Sequence, residues 1–385
     1  MKDYLNITFC VLILFITSCD KKDSIKSDKG IMKIEVRNAI NSEGIELALS
    51  ELGRELSYLP LETSELCLIS NVTNLVFTKD YILITDSKEL FQFSRSGKFL
   101  RKIGKLGKGP GEHGTFIKFA VDDSNEKEIF ILNHPYSVNV YDLHSGTFKR
   151  DFSVSQRISG IAAFPNGYLS LFTEEINPMG SKLLLNEVYL ADIKGNLIDS
   201  IIDYNRNNNK NSVIGGICLS ASEDNILFNC YGKDTLYSLN SDFFKTTYAS
   251  FEMKNKIKWE ELIVTPDKFQ ELSDRLSLYS LTGIENRLFI EVIKGISRDP
   301  NDIFKIIFEK DEGKTMRVRK IINNIDAGLP FWPKWSNNSN LIDVVYPYQI
   351  FEYLDDTNDK SKFSVNFPEL NNLKITDNPV IVILK

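Results

Sequence analysis

The clearest pattern along the chain is a short apolar run, a polar turn and a second apolar run, repeated from about residue 55 onward. The best copy, "YILITDSKELFQFSRSGKFLRKI" at residues 81–103, contains period-two alternation and prefers β-branched and aromatic side chains, which favours strands. Further copies occupy residues 128–154, 167–202, 225–251 and 287–322, and a degenerate sixth spans 341–354. Their starts lie roughly 40–60 residues apart, which is the spacing of propeller blades.

The turns between the runs favour the same architecture. "SRSGKF", "LHSGTF" and "DIKGNL" each place a glycine where a hairpin needs a positive φ. One four-stranded sheet cannot bury both of its faces, whereas sheets stacked around an axis cover one another and leave only short edges. We therefore predict an all-β fold, a single six-bladed β-propeller over residues 45–385.

Two strand-like segments at the ends of this region predict how the ring closes. "ELSYLPLE" at residues 55–62 precedes the first copy, and "NPVIVILK" occupies residues 378–385. We expect both segments to lie in one blade and to hold the ring together.

One segment breaks the β pattern. "TPDKFQELSDRLSLYS" at residues 265–280 has Thr265 as a candidate N-cap, Pro266 at the first helical position and leucines at helical spacing. It predicts one short amphipathic helix inserted between the fourth and fifth blades.

Composition narrows the class of protein and the kind of partner. Hydrophobic residues make up 42% of the 385 positions, which is enough for a large core and too many for a disordered chain. The formal net charge is −6, and no stripe of Lys and Arg interleaved with aromatic residues is visible. Because nucleic-acid binding needs clustered positive charge to displace counterions, we expect no nucleic-acid partner.

The N-terminal segment is typical of an export signal. The apolar run "ITFCVLILFI" at residues 7–16 is too short to span a bilayer as a helix, and small residues in "ITSC" precede Cys19. This pattern predicts a lipoprotein signal peptide at residues 1–18, with Cys19 lipidated after cleavage; an ordinary secretory signal is the alternative. We expect residues 19–44 to be a flexible tether, because "DKKDSIKSDKG" is too polar to fold.

Three cysteines follow Cys19 in the sequence, an odd number that leaves at least one free thiol in an exported protein. Cys218 and Cys230 flank a hairpin-like segment whose register could place them opposite one another as a disulfide. The alternative is that both are small buried hydrophobic residues.

Four stretches together resemble a known family: "LSYLPLETSE", "DSKELFQFSRSGKFLRKIGKLGKGPGE", "GLPFWPKW" and "DNPVIVILK". Over roughly residues 45–385 the chain is similar to the six-bladed β-propeller lipoproteins of Bacteroidota, and "GKGPGE" is the most specific of the shared stretches. The resemblance implies a relative of NHL-type propellers, which more often bind than catalyse. It also implies a location in the cell envelope, and it adds little about chemistry.

The glycine-rich stretch "IGKLGKGPGEHGTF" at residues 103–116 does not match a phosphate-binding motif. A Walker A loop needs Lys and then Ser or Thr after its last glycine, whereas Pro110 follows Gly109 here. The glycines also lack the dinucleotide spacing, and a strand pattern follows them instead of a helix. We interpret the stretch as the connection from the first blade to the second, displayed at one face of the ring. The candidate ligand residues in it are Lys105, Lys108, Glu112 and His113.

The sequence predicts no catalytic residue and no metal ligand. The three histidines, His113, His134 and His144, lack the short spacing of a helical zinc site, and neither GxSxG nor a sialidase-type Asp-box is present. A composite site of His113, His134 and nearby Asp or Asn residues in the central channel stays open, as does a divalent cation there. We expect no other cofactor.

The aromatic stretch "GLPFWPKW" at residues 328–335 is the best candidate for recognition. It holds Phe331, Trp332 and Trp335, framed by prolines that stiffen the backbone. Such rings either stack on sugars and anchor protein partners, or pack between two blades as core.

These observations predict a lipid-anchored propeller of the cell envelope, most readily of the outer membrane. We expect it to bind a glycan, a peptide or another envelope protein without catalysis. A propeller hydrolase or lyase acting on carbohydrate, assisted by a metal, is the alternative from another class. The third alternative is a structural subunit of an uptake complex. The sequence does not determine the ligand, the side of the membrane that the anchored domain faces, or the oligomeric state.

Overall fold

The computed structural model describes residues 31–115, 117–124, 127–133, 136–154, 157–173, 186–202, 217–221, 225–230, 233–257, 271–295, 299–326, 328–357 and 370–385. Strands dominate these ranges. In this part of the chain no helix is long and apolar enough to cross a membrane.

Six sheets, each with four antiparallel strands, form the blades of a β-propeller, and the first three follow one another along the chain. Blades 4 and 5 each have a fifth strand that is parallel to its neighbour. Blade 1 contains β4 (Asn74–Phe77), β5 (Tyr81–Thr85), β6 (Leu90–Ser94) and β7 (Phe99–Ile103). Blade 2 contains β10 (Phe119–Asp122), β11 (Glu128–Asn133), β12 (Ser137–Asp142) and β13 (Phe148–Ser153). Blade 3 contains β14 (Ile158–Ala163), β15 (Tyr168–Thr173), β16 (Asn186–Asp192) and β17 (Leu197–Ile202).

The other three blades each include one strand from the N-terminal part of the domain. Blade 4 contains β18 (Ile217–Ala221), β19 (Asn225–Cys230), β20 (Thr235–Asn240), β21 (Lys245–Phe251) and β1 (Met32–Ile34). Blade 5 contains β22 (Leu276–Ile284), β23 (Arg287–Lys294), β24 (Ile303–Glu309), β25 (Lys314–Ile322) and β2 (Ile45–Ala48). Blade 6 contains β26 (Trp335–Asn337), β27 (Asn340–Val345), β28 (Val380–Leu384) and β3 (Leu56–Pro60).

Six clusters of buried apolar side chains each fill the space between two neighbouring blades. Phe130 of blade 2, for example, packs in one cluster with Leu169 of blade 3. Neighbouring residues of one strand serve opposite blades, because side chains alternate along a strand: Leu288 packs toward blade 4 and Phe289 toward blade 6. The blades therefore cover one another's faces, and the predicted six-bladed propeller is confirmed.

Blade 6 joins the two ends of the domain. β28 lies between β27 and β3, with Val380 opposite Pro60 and Leu384 opposite Leu56. The predicted pairing of residues 55–62 with 378–385 is confirmed. The ring is thus closed by hydrogen bonds and apolar contacts between segments more than 300 residues apart.

Residues 31–60, here called the belt, run along the outer edges of blades 4, 5 and 6. β1 pairs in parallel with β21, β2 pairs in parallel with β25, and helix α1 (Val36–Asn41) lies between them against blade 5. Unpaired outer strands are prone to join other chains, so the belt protects two sheet edges that would otherwise be open.

The belt corrects one predicted boundary. Residues 31–44 were expected to continue the flexible tether, but Ile34 and Val36 are completely buried. This segment folds because its apolar side chains pack against the edges of blades 4 and 5. The rest of the predicted tether, the signal peptide and Cys19 lie outside the described residues.

The described helices differ from the predicted one. Helix α2 (Pro347–Thr357) follows β27, so residues 341–354 are one strand and one helix, where two strands were expected. Its Ile350 and Leu354 are buried at i, i+4 spacing, which gives the helix an apolar face against blade 6. Two short 3₁₀ segments occupy Leu49–Glu51 and Pro300–Asp302.

The helix predicted over residues 265–280 is wrong in its second half. Residues 276–280 are the start of β22, paired with β23, because Leu276 and Leu278 are buried at the alternating spacing of a strand. Residues 265–270 lie outside the described residues.

Polar side chains fix the turns between the third and fourth strands. Asp142 accepts backbone hydrogen bonds from His144 and Ser145, and Asp192 accepts them from Lys194 and Asn196. The glycines of the three predicted turn motifs have φ values of +79°, +71° and +87°, at Gly97, Gly146 and Gly195. The predicted turn chemistry is confirmed.

Candidate functional site

The longest connections between strands all lie on one of the two faces of the ring. Where the chain continues from strand one to two, or three to four, of a blade, the connection has two to five residues; this is the turn face. The opposite face, here called the loop face, holds the connections between blades and those between strands two and three. It includes the segments 104–118, 252–275, 323–334 and 346–379. Recognition residues are concentrated on loops held by a rigid scaffold, so the loop face is the candidate surface.

The glycine-rich connection from blade 1 to blade 2 folds back on itself at the loop face. β8 (Lys105–Leu106) pairs in parallel with β9 (Glu112–His113). The Gly109 N–H donates to Glu112 Oε2 at 2.8 Å, and Lys105 Nζ lies 2.9 Å from Glu112 Oε1. These two interactions hold the pKa of the Glu112 carboxyl below its usual value. Lys105 and Glu112 are therefore bound to each other within the loop.

Side chains of blade 2 anchor this connection. Asn139 Nδ2 donates to the Glu112 carbonyl at 2.7 Å, and the Tyr141 hydroxyl donates to the Gly111 carbonyl at 3.1 Å. Gly104 has a φ of +67°, and a Cβ there would lie 2.7 Å from Tyr141 Oη. The predicted connection from blade 1 to blade 2 is confirmed, and Lys108 is exposed in it.

The histidines are not gathered into one site in the described part of the chain. His113 was expected at the surface, but it is only 1% exposed, because the loop folds over its ring; Nδ1 lies 3.0 Å from the Gly114 carbonyl oxygen. His144 is exposed on the turn face, 3.0 Å from Tyr81 Oη. His134 lies outside the described residues, and within them no three His, Cys, Asp or Glu side chains are placed to hold a metal.

The aromatic stretch does not form one platform. Phe331 and Trp332 are 4% and 3% exposed and pack between blades 5 and 6, where the Trp332 ring stands edge-on to Phe289 at 5.8 Å. Trp335 is half-buried and packs on the other side of blade 6, toward blade 1. Of the two alternatives for this stretch, core packing holds for Phe331 and Trp332, and Trp335 stays a candidate for a ligand contact.

A group of charged and polar side chains lies beside Trp332, in the loop-face half of blades 5 and 6. We call it the 5–6 cluster: Ser280, Glu291, Lys305, Lys334 and Asp343. Ser280, Glu291 and Lys305 are cross-strand neighbours on three adjacent strands, and Ser280 Oγ donates to Glu291 Oε2 at 2.7 Å. From blade 6, Asp343 Oδ2 accepts the Trp332 N–H at 2.9 Å, and Asp343 Oδ1 lies 3.9 Å from Lys334 Nζ.

Burial governs the electrostatics of the 5–6 cluster. The Lys305 ammonium lies 5.2 Å from the centre of the Trp332 ring, a cation–π contact, and burial lowers its pKa although Glu291 and Asp343 favour its charge. Burial also raises the pKa of Asp343, although the charge of Lys334 and the backbone N–H of Trp332 act to lower it. Within the described residues Lys305 has no hydrogen-bond or ion-pair partner.

The 5–6 cluster was not predicted from the sequence, although a signal was present. Glu291, Lys305 and Asp343 each stand alone in an apolar strand, in "FIEVI", "IFKII" and "LIDVV". Charged residues are seldom buried without partners, so three isolated charges inside buried strands indicate that the strands meet. Which strands meet depends on the ring, and the sequence alone does not say that.

The two cysteines proposed as a disulfide are offset in the sheet. Cys218 pairs with Asn229, and Cys230 pairs with Ile217, so the register does not place them opposite one another. The expected opposition is therefore wrong. Cys67 is buried with a free thiol that donates to the Glu62 carbonyl at 3.1 Å.

Comparisons with known proteins agree with this fold. A family model described as "Domain of unknown function (DUF4934)" matches residues 31–385. A crystal structure of a "putative exported protein" from Bacteroides fragilis is 20% identical, with a TM-score of 0.66, covering 92% of this chain and 99% of that one. A DUF4221-family structure from Bacteroides vulgatus is 11% identical, with a TM-score of 0.52, covering 86% of this chain and 96% of that one. No curated protein matches the chain.

Proposed function

The chain belongs to the DUF4934 family, a domain of unknown function, and on that premise we propose that it is an exported propeller that binds a ligand on its loop face without catalysis. The observation that carries this proposal is the asymmetry of the ring. Connections on the turn face have two to five residues, whereas those on the loop face reach from residue 252 to 275 and from 346 to 379. Stability alone does not require long connections, because the loop face also has short ones, such as the four residues 86–89 between β5 and β6.

The proposal places the protein in the cell envelope, anchored through Cys19 in the outer membrane. The apolar run before "ITSC" supports export, and the likeness to a Bacteroides fragilis protein named for export agrees with it. We expect Cys19→Ser to move the full-length protein from the membrane fraction to the soluble fraction, because the sulfur that carries the lipid is lost. A variant that stays membrane-bound and keeps its mobility on a gel would contradict the anchor.

The binding surface is tested with full-length protein in detergent and a panel of oligosaccharides and peptides. A compound that binds only the folded state raises the melting temperature in a saturable way. We expect at least one compound to do so, and its effect to fall with Lys108→Glu or Lys334→Glu on the loop face. Lys98→Glu and Lys194→Glu are the matched controls, because both lysines are exposed on the turn face. The proposal would be overturned if no compound raised the melting temperature, or if the turn-face variants reduced the effect as much as the loop-face variants.

A further inference from the structure

We propose that the 5–6 cluster binds an acidic sugar, with Lys305 pairing with its carboxylate and Glu291 accepting a hydrogen bond from one of its hydroxyls. This inference rests on the proposed function, since the cluster lies in the loop-face half of the ring, and it names the class of ligand.

Lys305 carries a charge that no described residue pairs. The ammonium lies over Trp332 in a partly buried position, and the described part of the chain gives it no hydrogen-bond or ion-pair partner. Lys310, at the turn-face end of the same strand, is also partly removed from water, but it donates to the carbonyls of Ile284 and Glu285 at 2.7 and 2.9 Å. Lys305 Nζ is still reached by water, so an anion from solution can approach it and serve as its partner.

Glu291 offers a hydrogen-bond acceptor beside that charge. Glu291 is 6% exposed, and its Oε2 accepts the Ser280 hydroxyl, whereas Oε1 accepts no hydrogen bond from a described residue. A bare inorganic anion would approach this carboxylate without offering it a donor. A sugar acid carries both groups that the site needs, a carboxylate for Lys305 and a hydroxyl donor for Glu291 Oε1.

Asp343 does not offer a second acceptor to a ligand. It is 7% exposed and receives two backbone N–H groups, from Trp332 and Val344, so its oxygens are already occupied. A hydroxyl of the ligand therefore has Glu291 Oε1 as its acceptor.

Trp332 holds the Lys305 ammonium in the position where it would bind the ligand. The ring is fixed edge-on against Phe289, and its backbone N–H is fixed by Asp343. Trp332 is thus a positioning residue for Lys305, and it does not itself contact the ligand in this arrangement.

The test is isothermal titration calorimetry on the full-length protein with three probes. Galacturonate carries the carboxylate and the hydroxyls, galactose lacks the carboxylate, and acetate lacks the hydroxyls. We expect galacturonate to bind at least tenfold more tightly than either of the other two. Lys305→Met should weaken galacturonate binding about tenfold or more, because a hydrogen bond to a charged group is lost. Lys310→Met, the matched control, should leave the affinity within twofold.

Equal affinities for galacturonate and galactose, no measurable binding of galacturonate, or an unchanged affinity in Lys305→Met would each overturn the inference. Circular dichroism checks that the variant is folded. If Lys305→Met is not, Glu291→Gln takes its place, and it should weaken galacturonate binding with acetate binding unaffected. If galacturonate does not bind but a neutral glycan or a peptide binds on the loop face, the acidic-sugar inference is wrong and the proposed function stands. If no compound binds on the loop face, both the inference and the proposed function are wrong.

Discussion

Deletion of residues 378–385 is expected to abolish cooperative unfolding of the protein. The deletion removes β28, which lies between β27 and β3 and contributes Val380, Ile381 and Val382 to the clusters on both sides of blade 6. Burying each large aliphatic side chain stabilises a fold by about 1.5–3 kcal/mol, so loss of this strand removes an amount comparable to the whole stability of a domain, roughly 5–15 kcal/mol. The measurement is urea denaturation followed by tryptophan fluorescence and by circular dichroism.

Lys385→Ala is the control for this deletion. It removes only the ion pair with Glu55, which joins two exposed side chains at 2.9 Å, and such pairs contribute up to about 1 kcal/mol. The variant should unfold in a single transition close to that of the intact protein. If the deleted protein also unfolds in one steep transition near the original midpoint, the ring does not depend on this closure.

Glu128→Ala is expected to destabilise the protein by about 3–5 kcal/mol. Glu128 is 1% exposed on β11, and its two oxygens receive both terminal nitrogens of Arg150 at 2.6 and 2.7 Å. Arg150 also donates to the Ile193 carbonyl of blade 3, so the pair links two blades. Removing the carboxylate takes two charge-assisted hydrogen bonds from the partly buried guanidinium of Arg150. Urea denaturation at neutral pH measures the loss.

The same carboxylate should make stability depend on pH in acid. Burial raises the pKa of Glu128, but the hydrogen bonds and charges of Arg150 and Lys149 outweigh burial and hold the pKa below its usual value. A lowered pKa in the folded state means that the contribution is present above the unfolded pKa, about 4.3, and is lost as the pH falls through the folded value. As the pH is lowered through that range, the free energy of unfolding of Glu128→Gln should therefore fall less than that of the intact protein.

Glu309→Ala is the matched control. Glu309 pairs with Arg287 between the neighbouring strands β24 and β23, whereas Glu128 reaches Arg150 across β12. The Glu309 and Arg287 side chains are 20% and 26% exposed. We expect a loss of about 1 kcal/mol, because water already reaches the Glu309 carboxylate in the folded protein, whereas Glu128 is buried. If Glu128→Ala and Glu309→Ala reduce the free energy of unfolding equally, burial of Glu128 does not increase the contribution of its ion pair to stability.

The fold was predictable because its signals are local and repeat. The strands of blades 1 and 2 alternate, their turns carry a glycine with a positive φ, and the terminal segments could be paired once the ring was inferred. Prediction failed where a local pattern was decided by distant partners. Residues 31–44 follow the polar segment 20–30 and were assigned to the same tether. Their apolar side chains fold only against the edges of blades 4 and 5, which lie more than 200 residues later in the chain.

The candidate site was less predictable for the same reason. The sequence drew attention to glycines and tryptophans, which are conspicuous residue types, and the structure uses Gly104 for backbone geometry and Trp332 for packing. The 5–6 cluster is assembled from side chains of two blades. Its members, Ser280 and Asp343 among them, come together only when blades 5 and 6 pack against each other.

The belt also has a consequence for the order in which the chain can fold during synthesis. β1 is made early but pairs with Lys245–Phe251, and β3 must wait for Val380–Leu384, more than 300 residues later. Until these segments are made, the apolar residues of β1 and β3 lack their native partners, and the nascent chain carries edges that can join other chains. Folding that depends on contacts so distant in sequence is slow, so the cell must keep the unfinished chain from aggregating until residues 380–384 are available.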